Sequence, residues 1–319
     1  MTDRGTAAIA DFFDEELAPM VRRMADRPRT GAEGGDDGRE VRAMVWQGLV
    51  GLGALDGLDR PDAVRLAELL GSVAYQGPLL DTLTARELFP DHDFGGSPVA
   101  LAVADEPLTA RDDAVSARRS FVGFAAEVDH FVVGGAGDDG PRLALVRAGH
   151  PSTRVRRHEE TGRGEEHEVE FDGTPVTAWA GSDGWGAALA NARVRQAAYL
   201  VGLSQAALDH AVEYAKARRQ FGQPIGKFQG LAFRLGELSM HVDATRLLVH
   251  DRDATGHAAA VLAAAAELAL TVTVQAMQVN GAAGMVSDND AQLYYRRAAV
   301  ESVRLGTPSR LRREGRGTT

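Results

Sequence analysis

The sequence predicts an α+β protein in three parts: an N-terminal helical domain over 1–93, a middle antiparallel β domain over 94–182 and a C-terminal four-helix bundle over 183–319. Three observations predict it. Apolar residues recur at helical spacing to about residue 90. From about Pro98, short runs rich in β-branched and aromatic residues are cut by Gly, Asp and Pro. From about Asp183 the helical period returns in four long blocks joined by short connections.

In the first part, Ile9, Phe12, Phe13 and Leu17 share one helical face, and Val41, Met44, Val45 and Leu49 share another. The Gly- and Asp-rich stretch around 28–38 between them reads as a loop. A third helix runs from Pro61 to about Tyr75, because proline suits a first helical turn, where its missing N–H costs nothing. In the middle part, VALAVADE, SFVGFAAEVDHFVVGG, RLALVRAG, STRVRRHE and HEVEFDGTPV read as strands. No glycine-rich fingerprint follows a strand and opens a helix, so a Rossmann site is not supported. In the last part, Leu200, Leu203, Ala207, Ala211 and Tyr214 face one way on a helix ending near Arg219. Phe228 to Val249, Ala258–Asn280 and Asp290–Arg304 supply the other three, the third Ala-rich and stopping at Gly281.

A chain of 319 residues with a 44% hydrophobic and 25% charged composition is expected to fold around substantial cores. The net charge of −10 argues against nucleic acid and anionic membranes as partners. With no cysteine, disulfides and thiolate chemistry are excluded, and no histidine spacing makes a metal motif. The N-terminus carries acidic residues and no long apolar run, so no signal peptide is expected. Ala258–Leu270 is the most apolar stretch and is short for a membrane span, so the expected location is cytoplasmic. The basic tail with Arg310, Arg312, Arg313 and Arg316 reads as a solvated terminus.

The segment EYAKARRQFGQPIGKFQGLAFRLGELSM (213–240) is a cation-rich helix end, a Gly/Pro turn and an amphipathic restart. Arg218 and Arg219 sit where a helix dipole favours positive charge, which capping alone explains. The sharper reading is that a guanidinium fork at a rigid helix end grips a pyrophosphate.

Arg218, Phe221, Gly222, Ile225 and Gln229 match the pattern R-x-x-F-G-x-x-[IL]-x-x-x-Q, which resembles the acyl-CoA dehydrogenase signature. The stretch AMQVNGAAGM (276–285) resembles that family's Q-x-x-G-[GA]-x-G turn, and RLGTPSR (304–310) its terminal E-G-T segment. The resemblance implies helices, a middle β-barrel and a four-helix bundle, in that order. It implies FAD as cofactor, with Arg218, Phe221 and Gln229 reaching the FAD of a neighbouring subunit. It places Gln278, Gly281 and Ala282 at the adenosine half and Thr307 near the diphosphate. It also implies an acyl-CoA or carrier-bound acyl thioester as substrate, and a homo- or hetero-oligomer.

Desaturation of such a thioester needs a carboxylate to take the α proton while a hydride leaves the β carbon for the flavin. The family's usual base position is Leu305 here, and the alternative position, before Arg193, is Ala192. Neither side chain accepts a proton. Glu301, one helical turn before Leu305, is the substitute candidate. The E-P-x-A-G-S-D loop is reduced to DEPLTARDD (105–113), and the W-I-[TS]-N strand to Phe121, Val122, Gly123 and Phe124. The N-terminal part is short for the family. These departures are similar to those of the base-less subunits of bacterial heteromeric acyl-CoA dehydrogenases. Three functions follow as expectations: a self-sufficient dehydrogenase, a base-less subunit, or a pathway-specific tailoring enzyme with redox-neutral or oxygen-using chemistry.

Overall fold

Asp59 and Pro61 start a helix as their residue types require. Asp59 adopts an extended conformation and its carboxylate accepts the Asp62 N–H, with Pro61 in the first turn. This is α2 (Arg60–Ser72). The computed structural model describes residues 36–55, 58–111, 113–137, 140–158, 165–181, 184–286 and 289–316. The helix expected around Ile9–Leu17, and most of the 28–38 loop, lie outside them. Before α2 lies α1 (Asp36–Gly51), and after it α3 (Leu79–Leu88). Eight strands follow: β1 (Val99–Pro107), β2 (Thr109–Arg111), β3 (Ala114–Gly123), β4 (His130–Gly137), β5 (Gly140–Arg147), β6 (Thr153–Arg157), β7 (Glu166–Pro175) and β8 (Ala178–Trp179). The C-terminal helices are α4 (Gly184–Ala217), α5 (Gln229–Val249), α6 (Ala258–Asn280), α7 (Asp290–Glu301) and α8 (Pro308–Gly315). The first four of these match the four expected blocks.

The described residues divide into two compact units, one built from 48–75 with 193–316, the other from 36–47 with 76–192. These units and the three-part division of the sequence cut the chain at different places.

The β unit corrects the expectation of an antiparallel barrel. Its strands form two open four-stranded sheets, ordered β1-β4-β5-β8 and β2-β3-β7-β6. One pair, β1 with β4, is parallel, Val99 opposite His130 and Leu101 opposite Val132. The reason is connectivity. After β1 the chain leaves for β2 and β3 in the other sheet, then re-enters beside β1 from the same end, and such a crossover gives parallel neighbours. Val115, Val133, Val146, Val169, Phe131 and Phe171 form a core, with the two phenylalanine rings edge to face at 5.5 Å. A second cluster packs Val99, Val132 and Leu145 against Ala85 and Leu88 of α3. Edge strand β6 carries arginines that pair across to β7, Arg154 with Glu170 and Arg156 with Glu168, charges that discourage edge-to-edge association.

In the helical unit, α2 and α4 cross in backbone contact. A Cβ on Gly71 would lie 1.9 Å from the Tyr199 carbonyl oxygen, and one on Gly202 would lie 1.9 Å from that of Glu68. Only glycine fits at either position. Beside the crossing, Glu68 receives Arg246 Nε at 2.7 Å and His250 Nε2 at 2.6 Å. Burial works against the Glu68 charge, but these bonds outweigh it and hold the carboxyl below its ordinary range. The apolar run around α6 is longer than the sequence reading allowed. Residues Ala254–Met285 contain an 18-residue window of mean hydropathy 1.7, long and apolar enough for a membrane span, yet 56% of that window is buried in the protein. Ala263, Ala265, Ala266 and Ala269 let neighbouring helices approach it closely, as in a core helix. The basic tail is likewise structured: Leu311 is fully buried and Arg312 Nε bonds Glu267 on α6 at 2.5 Å.

Candidate functional site

The segment after α4 turns back through a two-residue hairpin, Arg219–Gln220 pairing with Gln223–Pro224. Its two turn residues, Phe221 and Gly222, both have positive φ, 49° and 80°. Such a turn favours Asn-Gly, and placing a phenylalanine at its first position costs about 1–2 kcal/mol. The strain does not bury the ring, since Phe221 is 93% exposed. Arg219 Nη2 bonds the Gly222 carbonyl at 3.0 Å and so braces the turn. Arg218 is exposed and makes no side-chain hydrogen bond or ion pair among the described residues. Gln229, the first residue of α5, is also exposed.

At the far end of α6, Gln278, Gly281 and Ala282 are all exposed. Gly281 stops the helix at φ 57°, ψ −139°, a conformation open to glycine alone. Thr307 caps α8, its hydroxyl accepting the Arg310 N–H at 3.4 Å. Gly315 packs on Ala260 while Arg312 reaches Glu267, so α8 runs antiparallel to α6 and its Thr307 end points toward the Gln278 end. The seven predicted cofactor residues are therefore all at the surface, where an arginine, a phenyl ring and two amides suit a pyrophosphate and a planar heterocycle. The residues fit the adenosine-diphosphate half of FAD. Exposed apolar residues run along α5 at heptad spacing, Phe233, Met240 and Leu247, with Leu248 beside them.

Leu305 and Ala192 stand at the positions where the resemblance puts a base. Leu305 adopts φ 59°, a left-handed conformation uncommon for an aliphatic side chain. Arg193 Nε donates to the Leu305 carbonyl at 3.3 Å, and its Nη2 pairs with Glu314 at 2.7 Å. Ala192 is buried. Glu301 is buried too. One oxygen receives Gln196 Nε2 at 2.9 Å, the other pairs with Arg297, and Arg304 lies 3.7 Å away. Arg297 is 1% exposed. Burial opposes its charge, but Glu301 and Tyr199 outweigh that and raise its pKa. Burial also pushes the Tyr199 hydroxyl up to about 12. Both Glu301 oxygens are engaged, one by a buried guanidinium and the other by an amide, so the carboxylate serves as the counter-charge of Arg297.

In the β unit, the segment matched to the family's E-P-x-A-G-S-D loop is committed to strands. β1 continues to Pro107, Leu108 is buried, and β2 pairs with β3. Arg119, buried within this unit, ties it down by donating to the carbonyls of Glu106, Pro107 and Gly134. Burial lowers its pKa. Phe121 has φ 57° where the β3–β7 register shifts, and its largely exposed ring stacks on His158 at 5.0 Å. Gly123 brings no hydroxyl, and Phe124 points into the core. Sequence reasoning missed the α8 cap, although Thr307-Pro308 is a helix-start signal. It also missed the Arg297–Glu301 pair, legible as an i, i+4 spacing.

Residues 182–314 of this protein match the acyl-CoA dehydrogenase C-terminal domain. It is 38% identical over 133 residues to the 3-sulfinopropanoyl-CoA desulfinase of Paraburkholderia xenovorans, covering 40% of this chain and 34% of that protein. It is 37% identical over 123 residues to the probable acyl-CoA dehydrogenase YngJ of Bacillus subtilis, covering 36% and 32%. The chain thus matches about a third of the length of these relatives. Over nearly the whole chain the fold is shared with solved structures. The Tcur3481-Tcur3483 steroid ACAD G363A variant has a TM-score of 0.84 at 24% identity, over 94% of this chain and 95% of that one. The ChsE4-ChsE5 complex from Mycobacterium tuberculosis has 0.81 at 24%, over 95% and 96%. PigA with FAD and proline has 0.78 at 19%, over 96% of both.

Proposed function

We propose that this acyl-CoA dehydrogenase-type flavoprotein works as a subunit without its own catalytic base, in an oligomer with a related, base-bearing chain. The observation that carries the reading is the contrast between the two halves of the cofactor site. Arg218, Phe221, Gln229, Gln278, Gly281, Ala282 and Thr307 are all exposed, whereas Leu305 and Ala192 stand at the base positions and Glu301 is paired with Arg297. Arg218 would hold the FAD pyrophosphate, with Phe221 and the two glutamines against the adenosine half. FAD, when bound, accepts a hydride from the β carbon of an acyl thioester, and the α proton goes to a carboxylate of the partner chain. The substrate is a CoA- or carrier-bound acyl thioester. The four long helices α4 to α7 are read as the family's four-helix bundle, and the apolar stripe Phe233, Met240, Leu247 as a surface for a second subunit, which gives it the contact it lacks in one chain.

A second reading is redox-neutral or oxygen-using chemistry on a carrier-bound intermediate. The missing hydroxyl at Gly123 favours it, as does the likeness to a desulfinase. The two are separated by replacing Arg218 with Met in the assembled protein and titrating FAD. The first reading expects at least a tenfold loss of affinity, with desaturation depending on the partner's carboxylate. Desaturation by this chain alone, or unchanged FAD affinity, would refute it.

A further inference from the structure

The Gly281–Met285 turn is held by a chain of side-chain hydrogen bonds that starts on another helix. His210, half-buried on α4, has its Nε2 3.1 Å from Asn289 Oδ1 and its ring against Tyr294 at 6.2 Å. Asn289 Oδ1 is a carbonyl oxygen that already accepts the Ala291 N–H at 2.8 Å, so the imidazole is the donor. Asn289 Nδ2 donates to Asn280 Oδ1 at 3.2 Å, and Asn280 Nδ2 donates to the Ala276 carbonyl at 2.8 Å. Asn280 is buried, and the turn folds back onto it. A Cβ on Gly284 would lie 2.9 Å from the Asn280 Cβ and 3.1 Å from the Met277 carbonyl oxygen. The network therefore joins α4, the last turn of α6 and the start of α7, and the exposed Gln278, Gly281 and Ala282 are carried on the piece it clamps.

We propose that His210 is a positioning residue for the adenosine-binding edge: through Asn289 and Asn280 it fixes the Gly281–Met285 turn in the arrangement that receives FAD. This rests on the reading of Gln278, Gly281 and Ala282 as FAD contacts. His210 itself touches no cofactor in this account. Without the donor, Asn289 still caps α7 but no longer ties that cap to α4, and the turn gains freedom that binding must then remove.

The test compares wild type, His210→Leu and His210→Gln in the full chain, in the oligomer it forms. FAD and ADP are titrated by calorimetry, amide exchange is followed over 281–286, and thermal unfolding is recorded. We expect His210→Leu to weaken both ligands roughly fivefold, about 1 kcal/mol, and to speed exchange in the turn. His210→Gln, which keeps an N–H donor, is expected to restore affinity to within about twofold. A melting temperature that falls in His210→Leu while affinity and exchange stay at wild-type values would overturn the proposal and leave His210 a packing residue. Equal weakening by both variants would also overturn it. Absence of FAD and ADP binding in wild type, alone and with its partner, would refute the parent reading and this one together.

Discussion

Replacing Glu301 with Gln separates a structural carboxylate from a catalytic one. In the folded chain Glu301 is the acid paired with Arg297, whose Nε and Nη1 have no hydrogen-bond partner among the described residues and which is 1% exposed. The substitution leaves the Gln196 contact satisfiable but strands a guanidinium with no counter-charge of its own. Breaking a buried ion pair by removing one partner costs about 3–5 kcal/mol. At about 2–4 °C per kcal/mol for a unit of this size, the melting temperature should fall by roughly 6–20 °C. A second substitution, Arg297→Met, removes the stranded charge and should recover most of the loss, because an apolar replacement of the whole pair is often neutral. Thermal unfolding of wild type, both single variants and the double variant supplies the cycle. A Glu301→Gln protein that melts within about 2 °C of wild type, yet loses desaturation, would refute the structural role and make Glu301 the base.

Three further outcomes follow from the geometry. Gly202→Ala and Gly71→Ala each drive a Cβ into a carbonyl oxygen at the α2–α4 crossing, so each should cost about 1–3 kcal/mol or more by urea unfolding, and Gly51→Ala, which meets open space, should cost less. Burial lowers the pKa values of His130 and His167 in the folded protein. Below the unfolded value of about 6.5 the unfolded chain takes protons that the folded chain refuses, so stability is full above that pH and falls as the pH drops. His130→Phe should flatten that slope between pH 7.5 and 5.5. Glu68 has the same sign at lower pH: its depressed carboxyl stabilises above about pH 4.3 and the contribution is lost as pH falls through the folded value, so Glu68→Gln should remove it. The group is partly solvated, which limits the effect to about 1 kcal/mol.

The helices were legible because their signals are local. The 3.6-residue period, Asp59 with Pro61, and the stop at Gly281 each lie within one turn of the element they define. The sheets were legible as strands but not as an arrangement. The parallel pairing of Val99 with His130 depends on a crossover through the other sheet, which alternation along a strand does not encode. The surface edge of the candidate site was found as motifs, since Arg218, Phe221 and Gln229 lie close together in the chain. What holds that edge was not. His210 meets Asn289 across 79 positions, and Arg193 meets Leu305 across 112, so neither contact has a spacing to read. The Arg119 clamp was hidden for a different reason, because its partners are main-chain carbonyls and any sequence supplies those.

The most direct measurement of the central claim is flavin absorbance per chain together with solution mass, for this chain alone and mixed with a base-bearing homologue. Little or no FAD is expected on the isolated chain, and a yellow hetero-oligomer whose FAD content falls when Arg218 or Phe221 of this chain is replaced. A homo-oligomer that is fully loaded with FAD and desaturates an acyl thioester unaided would contradict it.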